Sequence, residues 1–167
     1  MILSLDQSST TVGFAIATQK GEIIKTGYKK FCGKDFFARV EKISNFVEEL
    51  ILKYKIKKML IEDVFLQRNA KTLKKLSFVI GVIIQICLKN KIEYNIIPAT
   101  TWKNFLGIKA KKRKEQKKEV QEYCKLKYGK EFQEDEADSL CILLYFLKKF
   151  EKCKQNQIQF LVGEDDG

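Results

Sequence analysis

The apolar run Met1, Ile2, Leu3, Leu5 ends at Asp6, and the same break recurs where Met59, Leu60 and Ile61 meet Glu62. Short runs this apolar suit strands buried on both faces. Residues 3–6, 12–18 and 22–31 read as three successive strands, with Gly21 suited to the hairpin turn between the second and third. The period then changes. Phe36, Phe37, Val40, Ile43, Val47, Leu50 and Ile51 recur at helical spacing, which predicts an amphipathic helix ending near Tyr54 and Lys55. Residues 58–62 suit a buried strand parallel to the first, and residues 70–89 a second helix with Leu73, Leu76, Ile80, Ile83 and Cys87 as its core stripe. Phe78, Val79, Val82, Ile84 and Ile86 make that helix apolar nearly all round, so it is either sandwiched in the core or buried against a partner subunit.

A strand at 93–97 follows, then Pro98, a short helix at 99–106, and helices at 115–127 and 136–151. Residues 1–154 read as one domain without repeat or linker, and residues 155–167 as a frayed tail. Three antiparallel strands followed by alternating helices and parallel strands predict an α/β fold: a mixed sheet of about five strands with helices on both faces.

Charge narrows the function. A formal net charge of +11 favours a polyanionic partner. Neither a basic amphipathic helix nor a lipidation signal supports a membrane, and no stretch reaches the roughly 18 apolar residues of a span. Nucleic acid is the better reading. The positive charge is nearly all lysine, with only Arg39, Arg68 and Arg113 as arginines, so affinity should come from backbone charge and shape rather than base reading. Residues 109–118 (KAKKRKEQKK) form a basic run, read as a rail for phosphates. Cys32, Cys87, Cys124, Cys141 and Cys153 are scattered and no histidine accompanies them, which argues against zinc and for reduced, largely buried thiols in a cytoplasmic protein.

Asp6, Glu62, Asp135 and Asp138 stand where strands end or a helix begins, and the last two share a face at i, i+3. Carboxylates gathered from distant parts of a chain repel unless a cation lies between them. Hard divalent ions want oxygen ligands, and a pair of Mg2+ ions can clamp both oxygens of a phosphodiester displacement, which points to a metal-dependent nuclease. Singly, each residue has an ordinary use: Asp6 in an Asx-turn, Glu62 as a solvated strand end, Asp135 as a helix cap, Asp138 as a first-turn dipole partner. Asp35, Asp63, Glu131 and Glu134 are read as such ordinary charges. Trp102, Phe105 and Leu106 are read as core rather than as a stacking platform.

Three segments resemble the RuvC-type Holliday junction resolvases: residues 2–16 (ILSLDQSSTTVGFAI), residues 60–65 (LIEDVF) with Asn69, Ala70 and residues 73–76, and residues 135–140 (DEADSL). Their order and spacing fit from about residue 1 to 150. The resemblance implies an RNase H-like fold, a homodimer through the helix at 70–89, and Mg2+-dependent endonuclease action on four-way and related branched DNA, with Mn2+ as a substitute ion. It implies 5′-phosphate and 3′-hydroxyl ends. It carries over Asp6, Glu62, Asp135 and Asp138 as metal ligands, Lys117 as the active-site lysine, and Phe65 as the aromatic at the crossover. Arg68, Asn69, Lys109, Lys111, Lys112, Arg113, Lys114 and Lys118 are the accompanying DNA-contact candidates. The family often has Pro-Gly after its first aspartate, where this chain has Gln7-Ser8. The compact, lysine-rich chain looks more like the phage-encoded branch, acting in an infected bacterial cell. Two alternatives stand beside this: an RNase H-like nuclease of RNA–DNA hybrid or structured RNA, and a non-catalytic branched-DNA-binding protein. A sugar-kinase or actin-like ATPase would need two such domains, and 167 residues are too few.

Overall fold

The computed structural model describes residues 1–64 and 69–162, with side chains as far as residue 149. In chain order the elements are β1 (Ile2–Gln7), β2 (Thr11–Ala17), β3 (Ile23–Lys30), α1 (Phe36–Tyr54), β4 (Lys58–Glu62), α2 (Ala70–Lys89), β5 (Glu93–Ile97), α3 (Ala99–Leu106), α4 (Arg113–Tyr128) and α5 (Glu134–Val162). They form one five-stranded sheet in the order β3-β2-β1-β4-β5. β1 pairs antiparallel with β2 and parallel with β4, so it lies at the centre where the two halves of the sheet meet. This is the mixed sheet that the hydrophobic pattern predicts.

Alternation along the central strands divides the interior into two layers. Leu3, Leu5, Val12, Phe14, Ile16, Met59 and Ile61 face α1 and α2 in one core. Ile2, Ala15, Ala17 and Leu60 face the other way, into a core shared with Trp102 of α3, Val120 and Cys124 of α4, and Leu140, Cys141, Leu143 and Leu144 of α5. Residues such as Leu3, Leu5, Leu60 and Leu140 are almost wholly excluded from water, each contributing about 1.5–3 kcal/mol. The capping charges behave as expected: Asp35 accepts a 2.6 Å hydrogen bond from the Ala38 amide at the start of α1.

Two expectations are revised, one on α2 and one on α5. On α2, burial is concentrated at Val79, Ile80, Ile83, Ile86 and Cys87, whereas Leu73 and Leu76 are only partly covered. The outer face of α2 carries Phe78, Gly81 and Leu88, so the helix is not enclosed within the subunit. The described cysteines are free and largely buried as expected, Cys87, Cys124 and Cys141 being buried and Cys32 exposed. The last helix runs to Val162 rather than stopping near residue 151, because no glycine or proline interrupts it before Gly163.

Candidate active site

Strand alternation that sends Ile2 and Ser4 toward α5 sends Asp6 the same way, and in β4 it does the same for Glu62. β1 and β4 run parallel with Leu5 beside Ile61, so Asp6 and Glu62 come next on adjacent strand ends. Asp135 and Asp138 approach from above on the first turns of α5.

The seating of α5 has identifiable causes. On β2 the residues facing it are Gly13, Ala15 and Ala17, paired across the ladder with Asp6, Ser4 and Ile2. Small side chains there let the helix come close. At Gly13 the contact is extreme, since a Cβ would lie 1.9 Å from the Asp135 carbonyl oxygen. Ser4, wholly buried, donates a 2.7 Å hydrogen bond to the Ser139 carbonyl, and Thr26 donates one of 2.6 Å to Glu136 Oε1. Three strands therefore fix where the two aspartates stand.

The electrostatics are those of carboxylates that have met. Burial, then repulsion from Glu62, Asp138 and Asp135, holds the Asp6 carboxyl well above the ordinary carboxylate range, and a hydrogen bond with Glu62 adds to this. Asp138 is pushed up to about 7 by burial first and then by Glu62, against the pull of Lys103 and Lys117. Asp135 is raised as well, burial outweighing the attraction of Lys117 and a hydrogen bond from Thr11. Among the described residues no three of these side chains already stand in metal-ligand geometry. The donor set nevertheless fits a hard divalent cation. It is all oxygen, and after burial it is the neighbouring carboxylates, Glu62 foremost, that raise the proton affinity of Asp6 and Asp138.

Lys117 of α4 reaches this cluster. Its ammonium contacts Glu134 and lies near Asp135 and Asp138, and these interactions raise its pKa although burial opposes them. Glu134 is thus an ion-pair partner for Lys117. The basic run is ordered by its own helix: the Glu119 carboxylate accepts the backbone amides of Lys109 and Ala110, and Gln116 donates to the Ala110 carbonyl. Lys109, Lys111, Lys112, Arg113, Lys114 and Lys118 lie along that loop and the first turns of α4. Asn69 caps α2, its side-chain oxygen accepting the amides of Lys71 and Thr72. Phe65 and Arg68 lie outside the described residues.

The profile of the crossover junction endodeoxyribonuclease RuvC family matches residues 2–145, a span that contains all four carboxylates. This chain belongs to the RuvC family. It is a crossover junction endodeoxyribonuclease with the RNase H-like fold of that family. Among solved structures, Thermus thermophilus RuvC in complex with a Holliday junction substrate superposes with a TM-score of 0.71 at 18% identity, over 86% of this chain and 90% of that one. The fowlpox virus resolvase bound to Holliday junction DNA gives 0.59 at 14% identity, covering 89% and 97%. The yeast mitochondrial Holliday junction resolvase gives 0.60 at 15%, covering 92% and 83%. A search of curated proteins finds no significant match by sequence.

Several residues around this RuvC-type site were not picked out by the sequence pattern. Lys103 of α3 acts on Asp138, although the family resemblance singled out only Lys117. Gln7 is buried, and its amide donates a 2.7 Å hydrogen bond to the Glu62 carbonyl. Trp102, expected in the core and wholly buried there, donates its indole N–H to Glu62 Oε1 at 3.1 Å. Phe105, also expected in the core, is more than a third exposed and packs edge-on against Tyr145. The alternating small residues Gly13, Ala15 and Ala17 were a signal of close helix approach available in the sequence.

Proposed function

We propose that this chain cuts four-way and related branched DNA by metal-dependent phosphodiester hydrolysis at Asp6, Glu62, Asp135 and Asp138, leaving 5′-phosphate and 3′-hydroxyl ends. The observation that carries this is the convergence of four carboxylates from β1, β4 and α5, with Asp6 and Asp138 held above their ordinary range by burial and then by repulsion from Glu62 and the other carboxylates. Asp6 and Glu62 on the rigid sheet, with Asp138 opposite them, would hold the divalent cations, for which we propose Mg2+, with Mn2+ as a substitute. Bound there, such ions supply Lewis acidity toward the scissile phosphate. The chain's own contribution is placement. The sheet ends fix two carboxylates, Gly13 and Ser4 fix the helix carrying the others, and the ammonium groups of Lys117 and Lys103 offset negative charge developing on the phosphate. The lysines of residues 109–118 would hold the flanking backbone. Phe65 and Arg68, carried over from the family pattern, would meet the junction near its crossover.

Homodimerisation is part of this reading. A nearly two-fold substrate is cut symmetrically by two sites related by a two-fold axis. Phe78 and Leu88, with Gly81 in open space between them, present an apolar face on α2 that suits a second copy. The compact, lysine-rich chain with reduced thiols fits a phage-encoded enzyme in the cytoplasm of an infected cell. No described helix is long and apolar enough to cross a membrane.

The test uses end-labelled four-way junction, matched duplex and RNA–DNA hybrid, in Mg2+ and in EDTA, with Asp138→Asn alongside. Paired nicks near the branch point that require the metal and the aspartate are expected. Preferential cutting of hybrid would make this a different RNase H-like nuclease, and junction binding without cutting in either ion would leave a branched-DNA-binding protein.

A further inference from the structure

The contact between Trp102 and Glu62 differs from an ordinary core contact. Trp102 is completely buried in the layer beneath α5, so its N–H must find an acceptor inside the protein. The acceptor is Oε1 of Glu62, 40 residues away on the neighbouring strand, 3.1 Å from the indole nitrogen. The same carboxylate hydrogen-bonds with Asp6. From the other side, Gln7 donates to the Glu62 main-chain carbonyl at 2.7 Å. Glu62 is therefore gripped at both ends by neutral donors. A neutral donor orients a carboxylate without cancelling its charge, whereas a lysine or arginine would compete with any cation for it. The ring face of Trp102 is used as well: the Lys103 ammonium lies 5.0 Å from it, and Lys103 is the cation that most strongly offsets the charge of Asp138.

We propose that Trp102 is a positioning residue whose indole N–H fixes the Glu62 carboxylate beside Asp6 and so sets the affinity of the acid cluster for a divalent cation. This rests on the metal-site reading above. Free rotation of Glu62 would cost the site a preorganised ligand, and partners behind a ligand typically govern metal affinity by about ten-fold or more.

Trp102 is the chain's single tryptophan, so its emission reports on Glu62 directly. The experiment needs no DNA. The full chain, stripped with EDTA, is titrated with Mg2+ while tryptophan emission and melting temperature are followed. The unaltered protein should show a saturable emission change that Glu62→Gln abolishes. Trp102→Phe should raise the Mg2+ midpoint for thermal stabilisation about ten-fold. Val120→Ala, which opens space in the same layer, should leave that midpoint in place. An unchanged midpoint in Trp102→Phe, or an equal rise in Val120→Ala, would overturn the proposal while leaving the metal site standing. If Trp102→Phe does not fold, the emission comparison decides: Mg2+ stabilisation with unresponsive emission overturns it. No Mg2+ stabilisation of the unaltered chain would overturn the metal reading, and this inference with it.

Discussion

Removing one charge from the acid cluster should make the metal-free protein more stable, and Asp138→Asn is the cleanest such change. Burial and the neighbouring Glu62 push the Asp138 carboxyl up to about 7, from an ordinary value of 3.8. A carboxyl whose folded pKa exceeds its unfolded value retains a proton that the unfolded chain releases. Its contribution is therefore fully favourable below about pH 4 and is lost as pH rises toward 7. At roughly 1.4 kcal/mol per pH unit, the gap amounts to a ceiling on the order of 4 kcal/mol. Outward rotation of the carboxylate toward water relieves part of this, and about 2 kcal/mol is expected to remain. The competing effect has the opposite sign: a negative charge in the first turns of α5 is favoured by the helix dipole, but only by about 0.3–1 kcal/mol. Repulsion should win. In EDTA at pH 8, Asp138→Asn should melt about 4–8 °C above the unaltered protein, and the two should converge near pH 4. In saturating Mg2+ the order should reverse, because the metal stabilises only the folded state with its ligands intact. Melts tracked by circular dichroism at pH 4, 6 and 8, with EDTA and with Mg2+, test both halves. An Asn variant less stable than the parent at every pH in EDTA would show Asp138 to be a satisfied structural charge and would refute the reasoning.

Other perturbations probe other parts of the site. Gly13→Ala sets a Cβ 1.9 Å from the Asp135 carbonyl, so α5 must shift; about 3 kcal/mol of lost stability in urea melts is expected, with at least ten-fold slower junction cleavage. Ser4→Ala removes a buried hydrogen bond to the Ser139 carbonyl and should cost about 1 kcal/mol in the same melts, with a smaller loss of rate. Replacing Lys111 and Lys114 by glutamine should weaken junction and duplex binding alike and reduce the slope of log affinity against log salt by up to about 2, measured by fluorescence anisotropy. Phe78→Asp should yield a monomer in micromolar ultracentrifugation, with a modest fall in the EDTA melt because Phe78 also packs against Phe36 and Phe37, whereas a dimer that survives the change would place the subunit contact elsewhere.

Features that obey a local period were legible in the sequence. The change from alternation to helical spacing at Phe36, and the abrupt ends of apolar runs at Asp6 and Glu62, located β1, α1, β4 and α2 nearly to the residue. An amphipathic period states which face is buried, but not where along a helix the covering element begins. For that reason the stripe is buried at Ile80 and Ile83 but only partly covered at Leu73 and Leu76. Lys117 stood out by its place in the family pattern, whereas Lys103 on a short helix had no local signal. The contacts of Trp102 and Gln7 with Glu62 join residues 40 and 55 positions apart, and no window along the chain contains both partners.

The seating of α5 against the sheet also governs when the enzyme can act. Asp6 and Glu62 leave the ribosome early, but Asp135 and Asp138 are carried by the last helix and are held in place by Ser4, Gly13 and Thr26 from the first three strands. A nascent chain that ends before residue 134 has only half of its carboxylates and lacks the helix that covers most of that face of the sheet. Such a chain keeps most of the lysines but has no cutting centre. Nuclease activity therefore has to wait until α5 has been made and has docked on the sheet.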